Sequence, residues 1–118
     1  MTIYHIAVRA SWDAAVAAGE YRVSTLTQSL DEVGFIHASF AGQVAGTADR
    51  FYRDAYDAGE ELCVLIIDED AVRAGGTEIR EEAAANGELF PHIYGPVLPD
   101  HVSEVRDVTF SSTGEVLF

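Results

Sequence analysis

Three histidines, His5, His37 and His92, stand in strand-like runs with apolar neighbours. Imidazole titrates near neutrality and both donates and accepts hydrogen bonds. It therefore serves acid–base chemistry and grips hydroxyl groups. Placing it on an apolar strand costs free energy unless it finds partners. Three such placements in 118 residues point to a shared cleft. For any one of the three, the alternative is a core histidine satisfied by its neighbours. His5 shares its strand face with Ala7, His37 with Phe35 and Ser39, and His92 with Phe90 and Tyr94. His101 follows Pro99-Asp100 in a polar turn and is expected to be exposed.

Familiar local motifs are absent. The chain has no phosphate-binding glycine loop, Gly-x-Ser-x-Gly elbow, Cys-x-x-Cys pair or His-Glu-x-x-His helix. Carboxylates are too abundant for any one pair to signal a site, and Glu81 and Glu82 cannot both face one cleft from a strand. Arg9, Arg22 and Arg80 suit forked contacts to a pyrophosphate, with pairing to surface acids as the competing use. A three-histidine metal site is a further reading, since zinc accepts three histidines in catalytic sites.

The elements that must position these residues follow from periodicity. Ile3 to Val8 alternates as a buried strand. Ser11 is the expected N-cap of a helix with Asp13 in its first turn, an inner stripe of Trp12, Ala15 and Val16, and Gly19 at its end. Tyr21 to Ser24 reads as extended, and Ser29 to Val33 as a short helix stopped by Gly34. Phe35 to Ser39 is a second strand. A helix over about 42–57 carries the stripe Val44, Ala48, Phe51 and Tyr52, and Gly59 closes it. Glu61 to Asp68 reads as a central strand, and Asp68-Glu69-Asp70 as a solvated turn and helix start. Thr77 to Glu82, Phe90 to Pro96, Val102 to Phe110 and Glu115 to Leu117 complete the extended segments, with an exposed loop over 83–88. Many strands and two or three helices without regular alternation define an α+β fold in one domain, residues 1–118.

Composition narrows the function classes. Hydrophobic residues make up 48% of the chain, too many for a disordered one. The longest apolar run, Leu62 to Ile67, is far short of a membrane span. Twenty acids against seven bases, all arginine, give a net charge of −13. That charge disfavours nucleic acid and anionic membranes as partners. The single Cys63 lies in an apolar run and reads as a core thiol, and the expected compartment is the cytoplasm.

The phrases Ile3-Tyr4-His5-Ile6-Ala7, Gly34-Phe35-Ile36-His37-Ala38-Ser39, Ile79-Arg80 with Glu82, and Phe90-Pro91-His92-Ile93-Tyr94-Gly95-Pro96 together resemble the small bacterial family called domain of unknown function 952. The resemblance runs over about residues 3–108. At fold level that family is similar to the ADP-ribosyltransferases and RNA 2′-phosphotransferases. The resemblance implies two small packed antiparallel-rich sheets around a cleft for NAD. It places His5 and His37 at the positions that grip the substrate, while no Glu stands on the Phe90 to Tyr94 strand.

The expectation is therefore a transferase-like enzyme that binds NAD or another nucleotide, without a metal. His37, His92 and Glu82 are its catalytic candidates, and His5, Ser39, Arg80 and Tyr94 hold the cofactor. Tyr94 or Phe35 would wall the nicotinamide, and Glu82 would face the developing positive charge. The alternatives are a non-catalytic small-molecule-binding domain that kept the pocket and a histidine-ligated metal hydrolase.

Overall fold

The chain opens on strand β1 (Thr2–Val8), whose alternation sends Ile3, His5 and Ala7 to one face and Tyr4, Ile6 and Val8 to the other. The computed structural model describes residues 1–118. Helix α1 (Arg9–Ala18) follows β1 without a linker. It starts before the expected Ser11 cap, because Val8 is the N-cap and the Arg9 amide donates to Glu61 O at 2.8 Å. Its inner face is Trp12 and Ala15, whereas Val16 is 52% exposed. Gly19 ends it with φ +92, as expected of a left-handed C-cap.

Tyr21 forms an isolated bridge to Val97, and Val23 to Ser29. Helix α2 (Leu30–Val33) is held by a reciprocal cap. The Glu32 amide donates to Ser29 Oγ at 3.2 Å, and the Ser29 amide donates to Glu32 Oε1 at 2.9 Å. Ser29→Ala is expected to cost about 1 kcal/mol in urea unfolding. An unchanged midpoint would mean that burial of Leu30 alone holds this turn.

The strand expected over Phe35 to Ser39 pairs in the sheet only over β2 (Ile36–His37). A 3₁₀ turn (Ala41–Gln43) leads into α3 (Val44–Phe51) and α4 (Arg53–Asp57). The single helix expected over 42–57 is broken at Tyr52, where φ is −120°. Val44, Ala48 and Tyr52 are buried as the stripe requires, but Phe51 is 62% exposed.

Strand β3 (Leu62–Asp68) is buried at every residue except Asp68. Asp68 caps α5 (Glu69–Ala74) by accepting from the amides of Asp70 and Ala71. The chain closes with β4 (Ile79–Ala83), β5 (Leu89–Ile93), a 3₁₀ turn at Pro99–His101, β6 (Val102–Phe110) and β7 (Val116–Leu117). That 3₁₀ turn buries His101, expected to be exposed, to 8%, and its Nδ1 accepts the Leu98 amide at 3.1 Å. The fold is thus α+β with five short helices, not two or three.

Two antiparallel sheets carry the architecture, in the orders β1-β3-β6-β7 and β2-β5-β4. Ile36, Ile79 and Ile93 of the small sheet pack with Ile3, Cys63 and Leu65 of the large one, forming the main core. A second core lies on the other face of the large sheet, where Val44, Ala48 and Tyr52 meet Ile6, Val64 and Val108. Removing this apolar surface from water, at about 25 cal/mol per Å², is the main driving force for both contacts.

Pro91 decides where β2 stops. In an antiparallel ladder a residue's N–H and C=O point to the same neighbour. Pro91 O accepts from the Ala38 amide at 3.1 Å, so the donor that proline lacks is the one facing β2. The chain then leaves the small sheet and pairs with the large one. Ser39 N donates to Tyr4 O at 2.7 Å, and Tyr4 N donates to Ser39 O at 2.8 Å. Residues 36–39 thereby stitch the two sheets together, with His37 at the seam.

Candidate functional site

The registers Arg80↔His92 and His37↔His92 put these three side chains on one face of the small sheet. Two-residue periodicity adds Phe35, Phe90, Tyr94 and Glu82 to the same face. The hydrogen bonds of β5 alternate between its neighbours, so His37 and His92 form a non-hydrogen-bonded pair, the closer kind. Their rings meet edge to face, with centroids 5.0 Å apart. Phe35 stacks on His92 at 4.1 Å with the planes 14° apart, and Tyr94 tilts against Phe35 at 5.3 Å.

His5, His37 and His92 line one cavity of about 590 Å³. Its other walls include Ser39, Thr47 and Phe51, the segment Thr25–Gln28, and Phe90. The shared cleft expected from the three histidines is present as geometry. Their circumstances within it differ.

His5 is 2% exposed. Its Nδ1 lies 2.5 Å from His37 O and its Nε2 lies 2.9 Å from the Tyr21 hydroxyl. A carbonyl only accepts, so Nδ1 carries the proton and the Tyr21 hydroxyl donates to Nε2. Both nitrogens are thus engaged within the protein, and neither is left to grip a ligand hydroxyl. Burial lowers this imidazole to about 4, outweighing the bond to His37 O, which raises it. His5 is the neutral brace that ties β1 to β2 and to Tyr21.

His92 is held differently. Its Nδ1 lies 2.8 Å from Glu82 Oε1, and the Tyr94 hydroxyl donates to the same oxygen. These hydrogen bonds, first Tyr94's and then that of His92, keep the Glu82 carboxyl below its usual range. An ionised carboxylate accepts only, so Nδ1 of His92 is the donor, and in the neutral imidazole the lone pair is on Nε2. Nε2 has no protein partner, and no buried side-chain nitrogen or oxygen goes unpaired, so Nε2 is open to solvent. His37 makes no side-chain hydrogen bond and is exposed to the cleft. Desolvation there, and then His92, push it below the ordinary imidazole value.

The remaining candidates lie around this pair. Ser39 is buried in the wall, its Oγ 3.3 Å from Thr47 Oγ1. Glu82 and Tyr94 stand beside His92 without lining the cleft. Arg80 is exposed, donates to Glu78 at 2.8 Å and lies 4.6 Å over the Tyr94 ring, also outside the cleft. Neither Phe35 nor Tyr94 reaches the cavity wall expected of them, because each is packed in the aromatic cluster; Phe51 and Phe90 supply the wall. Arg9 and Arg22 pair with Asp107 and Asp31. No three histidine, cysteine, aspartate or glutamate side chains are disposed to hold a metal, so the metal-hydrolase reading has no ligand set to rest on. Sequence reasoning missed Thr47 and the Thr25–Gln28 segment, which no motif distinguishes, and the role of Tyr21 as the partner of His5.

A family model described as a protein of unknown function, DUF952, matches residues 6–105. The chain belongs to this family. No curated protein matches it. Among solved structures, the crystal structure of CC0527 from Caulobacter crescentus, a protein 31% identical, superposes with a TM-score of 0.80 over 99% of this chain and 94% of that one. The solution structure of CC0527 gives 30% identity and a TM-score of 0.74, over 97% and 90% of the two chains. The DUF952 fold of the present chain is thus that of a solved structure over nearly its full length. No helix in it is long and apolar enough to cross a membrane.

Proposed function

We propose that the cleft binds a small molecule and that His92 acts there as a general base in a transferase-like reaction. The observation that carries this is the bond from Nδ1 of His92 to Glu82, which leaves Nε2 open with its lone pair available. A base oriented by a carboxylate is the arrangement that activates a hydroxyl or a water. Glu82 fixes the tautomer and steadies the imidazolium that forms, and Tyr94 holds Glu82 in turn. The ADP-ribosyltransferase-like architecture belongs to this proposal, supported by the two antiparallel sheets that flank the cleft.

NAD itself does not fit the residues present. None of the 17 residues lining the cleft is Asp, Glu, Arg or Lys, and the arginines considered for a pyrophosphate pair with acids outside it. Two buried phosphate charges without counter-charges would be costly.

A second reading, a binding domain without chemistry, is favoured by one observation. The Ser39 hydroxyl faces Thr47, not a histidine nitrogen, so the wall holds no activated nucleophile. The two readings separate by screening hydroxylated small molecules for turnover with the wild type and with His92→Gln. Loss of a general base lowers turnover by about 10²–10⁴-fold. Turnover that survives His92→Gln overturns the base assignment, and ligands that bind without turnover establish the second reading.

A further inference from the structure

We infer that the cleft takes an uncharged, hydroxyl-bearing ring, such as a nucleoside or an aromatic alcohol, and turns away the matching carboxylate or phosphate. The inference rests on the reading of the cleft as the ligand site and names its substrate class.

Polar groups on the wall are abundant but neutral. Thr25, Thr27, Ser39 and Thr47 offer hydroxyls and Gln28 an amide, while Phe51 and Phe90 offer ring faces. Such a wall pairs with a hydroxyl as donor or acceptor and packs against an aromatic body. His5 has both nitrogens engaged within the protein and is lowered to about 4 by burial, and His37 is held below the ordinary imidazole value. The charge that does touch the site has the wrong sign for an anion. Glu82 sits against His92, so even a protonated His92 is already balanced.

The cations are elsewhere. Six of the seven arginines pair with carboxylates: Arg9, Arg22, Arg53, Arg73, Arg80 and Arg106. The seventh, Arg50, is exposed on α3; its guanidinium lies 5.8 Å from the centroid of the Phe51 ring, so it borders the wall at one edge without being part of it. An anion entering the cleft of a chain with net charge −13 would lose water without gaining a counter-ion.

Matched probes test this. Adenosine is compared with adenosine monophosphate, and benzyl alcohol with benzoate, at equal millimolar concentrations. The ring signals of His37 and His92 are followed by NMR. The neutral member of each pair is expected to bind at least about tenfold more tightly, a difference of about 1.4 kcal/mol. Thr27→Arg, which places a cation on the cleft wall, is expected to narrow or reverse that preference. An anion that moves the same signals at equal or lower concentration overturns the inference and leaves the cleft reading standing. If no member of either pair moves the signals, the cleft reading fails and takes the inference with it.

Discussion

Replacing His5 by alanine is expected to lower the melting temperature by about 10 °C or more. The substitution removes an imidazole that satisfies two groups at once. The Tyr21 hydroxyl, on a residue 1% exposed, loses its acceptor, and the carbonyl of His37 loses a donor. Each orphaned buried group costs about 1–3 kcal/mol, and the void left by the ring adds to the loss. The total, about 3–5 kcal/mol, is a large part of the stability of a domain this size. The same change in the exposed part of α1, Val16→Ala, should stay within about 0.5 kcal/mol. Calorimetry on the two variants makes the comparison. A loss below about 1 kcal/mol for His5→Ala would mean that water enters and repairs both bonds, and the brace would then be a convenience of packing.

Acid should weaken the fold well before the carboxylates titrate. The His5 imidazole is lowered from 6.5 to about 4 in the folded chain. Between those values the unfolded chain binds a proton that the folded chain refuses. Stability therefore falls as pH falls across that window and is fully present above it. The bound on this single group is about 3 kcal/mol. His37 acts in the same direction, since its value is lowered too. The lowered carboxyls, Glu78, Glu82 and Glu104, contribute only below their unfolded value of 4.5. The upper half of the window thus belongs to the imidazoles. Protonation also relieves the self-repulsion of a strongly acidic chain, so the decisive quantity is a difference. Urea midpoints from pH 7 to 4.5 should fall more steeply for the wild type than for His5→Gln. Parallel slopes would show that His5 is protonated in the fold despite its burial.

Much of this was readable from residue order, for specific reasons. β3 announces itself because its run is apolar on both faces, which only a doubly covered strand tolerates. α2 is bracketed by a residue that accepts its amides and by Gly34, whose φ of +96 a side chain would resist. The histidines were legible because imidazoles on apolar strands demand partners. Which partners they find was not, since a bond from His5 to the backbone of residue 37 leaves no trace in sequence spacing. The start of α1 was misplaced because its first amide is satisfied by Glu61, a distant residue just before β3. The break at Tyr52 was missed because the apolar stripe continues through it. Arg80 and Tyr94 share the sheet face of His92 as alternation requires, but periodicity names a face and not the boundary of a cavity.

The strand order has a consequence for how the chain comes to be folded at all. Val8 pairs with Leu62, and Leu62 pairs in turn with Val108, so two of the three ladders of the large sheet join distant parts of the chain, and only β6–β7 is local. Loop closure must precede every one of these contacts, which puts such a topology among slower folders. During synthesis β1 emerges early with both apolar faces bare, and β3 waits for a flank that lies near the chain's end. In that interval the nascent segments are open to association with one another. The net charge of −13 then has a use that the finished fold conceals: mutual repulsion keeps half-made sheets apart until β6 arrives.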